Sequence, residues 1–403
     1  MIRALKFLGK GLAALLVLAV VGLNVLYWTD PLYYRRMAST PFIDPVSDID
    51  WYRPLEKVAG DFAAPLPRAA DGARTINAEA WHKALAYAKQ TETYGLMVWH
   101  KGAVQYEYYS DGFAPDDRTD TASMHKSVVA LMLGAAIADG LIGSVDDPVA
   151  KYVPEWAGDA RAKITLRHLL HMASGLARQP FSLSPTGEFM RLNVGTAIEP
   201  LTLSIQPGVE PGTVFSYYNF NPQMLAIVLQ RVTGKRYADY LSQRLWRPLG
   251  ARDGYVYLDR AGGLARTYCC LHASPEDWLR VGLLHLNRGR VGAAQVLPED
   301  WMAQVTAPSP LNPNYGYLTW LGTTYEDKRS YGAGVDMRVP QSEPFAAPGI
   351  VYFDGSGGQR VYIVPSHDMV IVRTGKGGVD FAAGLFKWDE SAIPNALIAG
   401  AMP

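Results

Sequence analysis

Cysteine is nearly absent from this chain of 403 residues, whose only two cysteines, Cys269 and Cys270, are neighbours. Neighbouring cysteines can close only a strained ring, so disulfides do not staple the fold. We expect both side chains to be buried as small apolar groups, without redox or metal chemistry. The sequence also lacks a spaced set of histidine, cysteine and acidic residues that would bind a metal ion. His168 and His171 share a helix face without such a partner, and no metal or organic cofactor is expected.

Net charge is lacking as well, because 38 basic residues balance 38 acidic ones. No basic run with interleaved aromatic residues occurs, so we expect no nucleic-acid partner. The length suffices for one large core or for a core in two parts. The 23 tyrosines and 10 tryptophans either pack in that core or line a cleft, and composition does not decide between them.

A long apolar run is found at the N-terminus, over residues 11–28, where only Asn24 interrupts it. This length is close to the minimum that spans a bilayer. The basic residues before the run favour a cytoplasmic N-terminus and export of the remaining chain. A cleaved signal peptide is the alternative, but the run offers only a poor cleavage site. We therefore expect residues 1–28 to form a membrane anchor or signal segment, with the anchor favoured.

The remaining chain divides into a connector and one domain. Residues 29–75 are rich in proline, aspartate and aromatic residues without sustained periodicity, which is typical of a connector. A helix is predicted over 78–90, and two strands that turn at Lys101 follow over 94–109. Residues 123 to about 250 look mostly helical, with a long loop over 178–212 that covers a cleft.

The last third of the chain returns to strands. Apolar runs at 349–353, 360–364 and 369–373 predict strands, and a C-terminal helix is predicted over 378–402. Strands at both ends of a helical middle predict an α+β domain over residues 76–403. Its antiparallel sheet is split in sequence and flanked by helices, with a helical lobe beside it.

Ser123 and Lys126 are the residues most suited to chemistry. Three positions apart on a helix, they lie on one face, so the amine can take the proton of the hydroxyl. The pattern also arises by chance, and ordinary helix residues are the alternative interpretation. Its context favours catalysis, because an apolar helical run over 127–137 places Ser123 at a helix N-terminus. Free N–H groups there favour developing negative charge.

Several motifs in one order make the chain resemble the serine β-lactamase and penicillin-binding-protein superfamily. The resemblance covers about residues 90–375, on the class C-like side that includes esterases and aminohexanoate-oligomer hydrolases. The Gly-Gly-Gln sequence and the neighbouring cysteines are closest to the aminohexanoate-hydrolase branch. The resemblance implies a β-lactamase/transpeptidase-like α+β fold. The motifs are Ser123-x-x-Lys126, Asp139-Gly-Leu-Ile, Ile164-Thr-Leu-Arg-His-Leu-Leu, Pro211-Gly-Thr-Val-Phe-Ser-Tyr-Tyr-Asn219 and Gly357-Gly-Gln.

The resemblance also implies roles for individual residues. Ser123 would be the nucleophile that forms an acyl-enzyme, and Lys126 the base, provided that burial lowers its pKa. Tyr217 would relay protons and protonate the leaving group. Asn219 would hold the lysine and the substrate amide. The oxyanion hole would combine the N–H of Ser123 with an N–H from the strand after Gly355-Ser-Gly-Gly, where Gly357 and Gly358 are the candidates and Gly358 is favoured.

Two features of the family are missing. The third motif, at residues 355–357, lacks the cation that commonly binds a substrate carboxylate, so penicillins and peptide C-termini are weaker candidates as substrates. No Glu-x-x-Leu-Asn element occurs at the expected spacing, so water activation falls to Tyr217 and Lys126. His125 is turned about 100° from Ser123 on the helix and is expected to pack rather than to act as a second base.

We therefore predict a serine hydrolase that cleaves an ester or a linear amide through an acyl-enzyme. A D-alanyl carboxypeptidase, a β-lactamase and a non-catalytic module that binds cell-wall peptides are the alternatives. The expected partners are a small-molecule or peptide substrate and, through the N-terminal helix, a membrane; the sequence does not predict an oligomeric state. We expect a single-pass protein of a bacterial inner membrane with its catalytic domain in the periplasm, or else a secreted protein.

Overall fold

The computed structural model describes residues 2–41, 46–380 and 382–402. Met1 of the predicted anchor, 42–45 of the connector, Phe381 of the predicted C-terminal helix and Pro403 lie outside the described residues. The α-helices span Ile2–Thr29 (α1), Pro31–Ser39 (α2), Ala78–Gln90 (α3), His125–Ala138 (α4), Leu166–Leu170 (α5), Glu188–Val194 (α6), Ile198–Leu203 (α7), Phe220–Thr233 (α8), Tyr237–Leu241 (α9), Pro275–Leu286 (α10), Glu299–Val305 (α11) and Ala392–Ala399 (α12).

The strands are mostly short, and the longer ones lie near the two ends of the domain. They span Leu55–Val58 (β1), Thr93–His100 (β2), Ala103–Tyr109 (β3), Thr119–Asp120 (β4), Gly254–Tyr257 (β5), Leu271–Ala273 (β6), Arg290–Val291 (β7), Ala294–Gln295 (β8), Trp320–Leu321 (β9), Lys328–Ser330 (β10), Arg338–Pro340 (β11), Val351–Gly355 (β12), Gln359–Val364 (β13), Met369–Gly375 (β14), Val379–Asp380 (β15) and Leu385–Phe386 (β16).

The central sheet joins the two ends of the domain. Its strand order is β3-β2-β14-β13-β12-β9, and every neighbouring pair is antiparallel. Strands β13 and β14 are buried on both faces, which explains why each is a nearly continuous apolar run. The pairing of β2 with β14 confirms the predicted antiparallel sheet split in sequence, within an α+β fold.

Helices cover both faces of the central sheet. Helix α10 lies on the face that carries Val361 and Val370, where a Cβ on Gly282 would meet both valines. The opposite face carries Tyr106, whose ring stacks on Trp81 of α3 at 4.9 Å, and α12 packs beside α3. The predicted helix over 78–90 is confirmed, since α3 has these bounds.

Helix α4 is the axis of the helical lobe and packs against α8 and α11. Every residue from His125 to Ala136 is buried. A helix that is apolar on every face is stable only where other elements cover all of its faces. The aliphatic sequence of α4 agrees with its burial. Gly134 allows close approach of α11, because a Cβ there would overlap the indole of Trp301. The lobe therefore holds the start of α4 rigidly.

The predicted C-terminal helix over 378–402 is wrong in its first half. Strands β15 and β16 occupy part of that segment, and α12 begins only at Ala392. Gly384 between the strands takes a φ of +65°, in the left-handed region that an α-helix cannot include. The helix is therefore short, and its buried face packs on α3.

The N-terminal helix α1 has exposed apolar side chains in its described part, from Leu12 to Trp28. Among the described residues, no single helix has both the length and the mean hydropathy required to cross a membrane. The pair Leu15–Thr29 and Pro31–Ser39 meets both requirements by length and composition, with a bend of 108° between its members.

Parts of the predicted connector take regular structure on the domain. Strand β1 pairs with β5 in a small second sheet of order β1-β5-β6-β4. Arg36 of α2 is 1% exposed, and its guanidinium donates hydrogen bonds of 2.6–3.3 Å to five backbone carbonyls. Its partners come from three separate segments and are Arg53, Val194, Gly195, Leu258 and Asp259. Helix α2 is thereby fixed to the domain.

Candidate active site

Ser123 lies in a tight 3-10 turn, Ala122–Met124, that leads directly into α4. Ala122 takes a φ of +48°, which is costly for a residue with a side chain. Its N–H donates to Asp120 Oδ1 at 2.7 Å, and its carbonyl accepts from the N–H of Cys270 at 3.0 Å. These bonds hold the strained turn and place the serine at the N-terminus of a helix, as predicted.

Lys126 lies one turn further on, with its amine beside the serine. Its Nζ is 2.7 Å from Ser123 Oγ and donates a second hydrogen bond to the carbonyl of Tyr268 at 2.5 Å. The residue is 1% exposed. Burial lowers the pKa of Lys126 to about 7, although the negative charge of Asp354 acts in the opposite direction. Near neutral pH, a large share of the molecules therefore carries a neutral amine that can accept a proton.

Tyr217 covers the other side of this amine, and Lys126 Nζ lies 4.8 Å from the centre of the tyrosine ring. The ring is held by Tyr331 at 5.1 Å and Trp320 at 5.9 Å. Burial and the charge of Asp354 raise the pKa of Tyr217, while hydrogen bonding with Ser123 lowers it in part. The phenol therefore stays protonated at neutral pH and can donate a proton.

Tyr218, the neighbour of Tyr217, makes different contacts. Its hydroxyl donates to the carbonyl of Ala177 at 3.3 Å, and its ring lies under the guanidinium of Arg178 at 4.4 Å. Both tyrosines line the cleft, but Tyr217 is the one next to Lys126 and Ser123. The tyrosine that lies beside the serine and the lysine is thus Tyr217, the residue predicted to relay protons.

Asn219 lies in the cleft wall immediately before α8. The hydrogen bonds described for Lys126 go to Ser123 and to the carbonyl of Tyr268, and none of them joins the lysine to Asn219. In this arrangement the predicted lysine-holding role of Asn219 is taken by a backbone carbonyl. The side chain of Asn219 remains at the cleft, where a substrate amide can reach it.

The turn between β12 and β13 supplies the strand side of the site. Gly355 pairs with Gln359, so Ser356, Gly357 and Gly358 form the turn. A Cβ on Gly355 would overlap the carbonyl of Thr121, so glycine lets the strand end approach the turn that carries the nucleophile. Ser356 lines the cleft together with Ser123.

The structure does not place Gly357 or Gly358 in the wall of the cleft. Both take positive φ values, +81° and +75°, and a Cβ on Gly358 would come within 2.9 Å of Trp388 and Arg373. The prediction took the donor from the strand that follows the glycines, and that strand, β13, begins at Gln359. The chain reverses after Gly355, and Ser356 is the residue of this turn that lines the cleft with Ser123.

A buried cluster of charges lies behind Tyr217. Asp354 pairs with Arg329 at 2.8 Å and with Arg360 at 2.5 Å, and it accepts a hydrogen bond from the hydroxyl of Tyr331 at 2.6 Å. Glu390 pairs with the same two arginines at 2.5 and 2.9 Å. Burial alone would raise the pKa of Asp354, but the arginines keep it below the usual range. The carboxylate that faces the site is therefore ionised.

The expectation for the cysteines is wrong in one respect. Cys269 and Cys270 are buried, as predicted, but they are joined by a disulfide. The carbonyl of Cys269 is 2.7 Å from His125 Nδ1, and His125 Nε2 is 2.9 Å from the hydroxyl of Tyr237. His125 is thus a buried packing residue, as expected.

Sequence reasoning missed three groups at the site. The carbonyl of Tyr268 has no sequence signal, since every residue carries one. Ser356 lies in a glycine-rich turn, and the sequence does not indicate where the strand before that turn ends. Arg178 lines the cleft and donates to the carbonyl of Tyr217, although the predicted third motif offers no cation. The fold of the segment after Leu176 brings Arg178 to the wall of the cleft, and the sequence does not indicate this position.

This fold and this serine–lysine–tyrosine site define a class of hydrolase. The chain matches the family model described as Beta-lactamase over residues 73–383 and therefore belongs to the beta-lactamase family. It is 31% identical over 231 residues to the 6-aminohexanoate-dimer hydrolase of Paenarthrobacter ureafaciens, a match that covers 54% of this chain and 58% of that protein. The predicted resemblance is confirmed, and family membership supports the predicted enzyme class.

Solved structures agree on the fold. A candidate 6-aminohexanoate-dimer hydrolase from Bacillus anthracis superposes with a TM-score of 0.66 at 20% identity, over 87% of this chain and 89% of that chain. A class C beta lactamase from Rhodobacter sphaeroides gives a TM-score of 0.56 at 19% identity, over 80% and 99% of the two chains. The match to the curated relative spans little more than half of its length.

Proposed function

We propose that this chain is a serine hydrolase that cleaves an ester or a linear amide through an acyl-enzyme on Ser123. The observation that carries the proposal is the 2.7 Å contact between Ser123 Oγ and the buried amine of Lys126, whose pKa is about 7. A base with a pKa near the working pH is best suited to remove the proton of a hydroxyl. Strongly perturbed groups at a cleft are typical of catalytic sites.

Acylation begins when Ser123 Oγ bonds to the substrate carbonyl carbon and its proton passes to Lys126. The carbonyl oxygen gains negative charge, and the N–H groups of Ser123 and Ser356 donate to it. The bond to the leaving group then breaks, and Tyr217 gives its proton to the departing oxygen or nitrogen. The ammonium of Lys126 returns a proton to Tyr217, so the net transfer is from serine to leaving group.

Deacylation uses the same groups with water. A water molecule attacks the acyl carbon and passes a proton to Lys126, and the bond to Ser123 Oγ breaks as that oxygen regains a proton. The acid is released, and the neutral amine is restored. Lys126 and Tyr217 can serve this step because the pKa of Lys126 is lowered and that of Tyr217 is raised. The amine can therefore accept a proton, and the phenol can donate one.

The relative from Paenarthrobacter ureafaciens supports a linear amide as one substrate class, since it is named a 6-aminohexanoate-dimer hydrolase. Simple esters are the easier test, because an alkoxide or phenoxide leaves more readily than an amine. We also propose that α1 anchors the chain in a membrane. A protein that membranes release in high salt, without detergent, would contradict the anchor.

The test is the intact mass of the full chain after mixing with p-nitrophenyl butyrate. The wild-type protein should gain the mass of one butyryl group and release nitrophenol. Ser123→Ala should lose both the adduct and labelling by a fluorophosphonate probe. Ser127→Ala is the matched control, a buried serine one turn along whose hydroxyl donates to the carbonyl of Leu318 at 2.9 Å.

Labelling that persists in Ser123→Ala would contradict the assignment of the nucleophile. A protein without adduct or turnover on esters or amides would instead be the non-catalytic binding module. A penicillin in the same assay separates the remaining alternatives. A stable penicilloyl adduct on Ser123 would favour a penicillin-binding carboxypeptidase, and rapid penicillin turnover would favour a β-lactamase.

A further inference from the structure

We infer that the cleft opens onto a lipid surface and accepts amphiphilic substrates, namely esters or amides that carry a hydrocarbon chain. The inference rests on the proposed hydrolase function and adds the class of substrate. Three features carry it: exposed apolar side chains at the mouth of the cleft, their attachment to the segment that follows α1, and apolar walls that lead towards Ser123.

The mouth of the cleft has an apolar rim, formed by Phe181, Leu183 and Phe189. These side chains are 71%, 67% and 41% exposed. The rings of Phe181 and Phe189 pack at 4.9 Å, and both line the cleft. Single exposed apolar residues are ordinary on protein surfaces, but three large ones in one short segment mark an interaction site.

The segment that carries the apolar rim is tied to α2. The hydroxyl of Tyr33 donates to the carbonyl of Pro185 at 2.8 Å, and Arg36 donates to the carbonyls of Val194 and Gly195. The hydroxyl of Thr196 donates to the carboxylate of Asp30, which directly follows the last residue of α1. The end of α1 and the mouth of the cleft are therefore neighbours.

The exposed apolar surface of α1 selects lipid as the occupant of the rim. Side chains such as Leu12, Leu16 and Trp28 are each about 70% exposed. Exposure of so many apolar side chains to water along one helix is unfavourable. A bilayer that receives α1 brings its surface to the apolar rim. Arg35 is exposed on α2, which follows α1, and Arg191 is exposed on α6, which carries Phe189; their positive charges match anionic headgroups.

The cleft continues the apolar character of the rim inwards. Phe189 and Leu192 line it on the side of α6, and Val335, Met337 and Phe386 line it from other segments. With a volume of about 730 Å³, the cleft has room for a hydrocarbon chain beside a carbonyl at Ser123. Each methylene that becomes buried there raises the apparent affinity by about four-fold.

The experiment uses the full chain in vesicles of equal parts phosphatidylcholine and phosphatidylglycerol. The ratio kcat/KM is measured for p-nitrophenyl acetate and p-nitrophenyl decanoate. The wild-type protein should prefer the decanoate by about ten-fold or more. In a triple variant, Phe181→Ser with Leu183→Ser and Phe189→Ser, we expect kcat/KM for the decanoate to fall about ten-fold more than kcat/KM for the acetate.

Leu141→Ser is the matched control, since Leu141 is 39% exposed and lies outside the cleft lining. It should leave both rates unchanged. Equal hydrolysis of the two esters by the wild-type protein, or equal loss on both in the triple variant, would overturn the inference alone. A dimer that dissociates in the triple variant, with the decanoate preference intact, would assign the rim to a second copy. Failure to hydrolyse either ester would overturn the proposed function and the inference together.

Discussion

The low pKa of Lys126 predicts that the catalytic amine destabilises the folded protein. Lys126→Met keeps the length and most of the volume of the side chain but removes the charge. The pKa falls from 10.5 in the unfolded chain to about 7 in the fold, so burial of the charged form costs at most about 5 kcal/mol. Lys126→Met should therefore be more stable than the wild-type protein. Its gain in the free energy of unfolding is reduced by about 1–2 kcal/mol at every pH, because the variant lacks the hydrogen bonds that Lys126 makes to Ser123 and Tyr268.

The sign of the pH dependence follows from the two pKa values. Below pH 7 both states carry the proton, and the full cost is present. Between pH 7 and 10.5 the folded state has lost the proton while the unfolded state keeps it, so wild-type stability rises by about 1.4 kcal/mol per pH unit. The advantage of Lys126→Met should therefore shrink by about 2.5 kcal/mol between about pH 6 and about pH 9.

Urea unfolding of both proteins at these two pH values measures the effect. Lys83→Met, a substitution on the exposed side of α3, controls for the loss of a lysine as such. An advantage of Lys126→Met that is equal at both pH values would refute the reasoning, because it would mean that the buried amine stays charged in the fold at pH 9, as it does in the unfolded chain.

Three further predictions concern activity. The kcat/KM for an ester should fall about ten-fold per pH unit below a midpoint near pH 7, as Lys126 becomes charged; a flat acid limb would contradict its role as base. Tyr217→Phe should slow hydrolysis of an anilide by about 100-fold and of a p-nitrophenyl ester far less, since nitrophenolate leaves without a proton; equal losses would argue against the tyrosine as acid. Gly355→Ala should abolish activity, because its Cβ would overlap the carbonyl of Thr121, whereas Gly158→Ala, with open space around it, should remain active.

Sequence reasoning found the groups whose spacing is local. Ser123 and Lys126 share a helix face by their separation alone, and the helix over Ala78–Gln90 has a clear cap and period. The strands over 360–364 and 369–373 could be predicted because burial on both faces requires a nearly continuous apolar run. In these cases one periodicity decides the structure, and no distant residue is needed.

Groups defined by distant partners could not be found in this way. Which residue of the turn lines the cleft depends on where β12 pairs with β13, a register that Gly-Ser-Gly-Gly does not encode. The carbonyl of Tyr268 accepts from Lys126 across a sequence separation of 142 residues. The disulfide was itself unexpected, since the adjacency of two cysteines does not reveal the backbone that joins them.

The buried guanidinium of Arg36 sets a limit on how the chain can be trimmed. A protease that cuts before Asp30 would separate the apolar helix α1 from a domain that keeps the hydrogen bonds of Asp30 and Arg36. A cut after Arg36 would leave five carbonyls of three segments without their donor, two of them on the segment that walls the cleft. A chain without α1 can therefore keep the same fold, provided that the cut lies before Asp30.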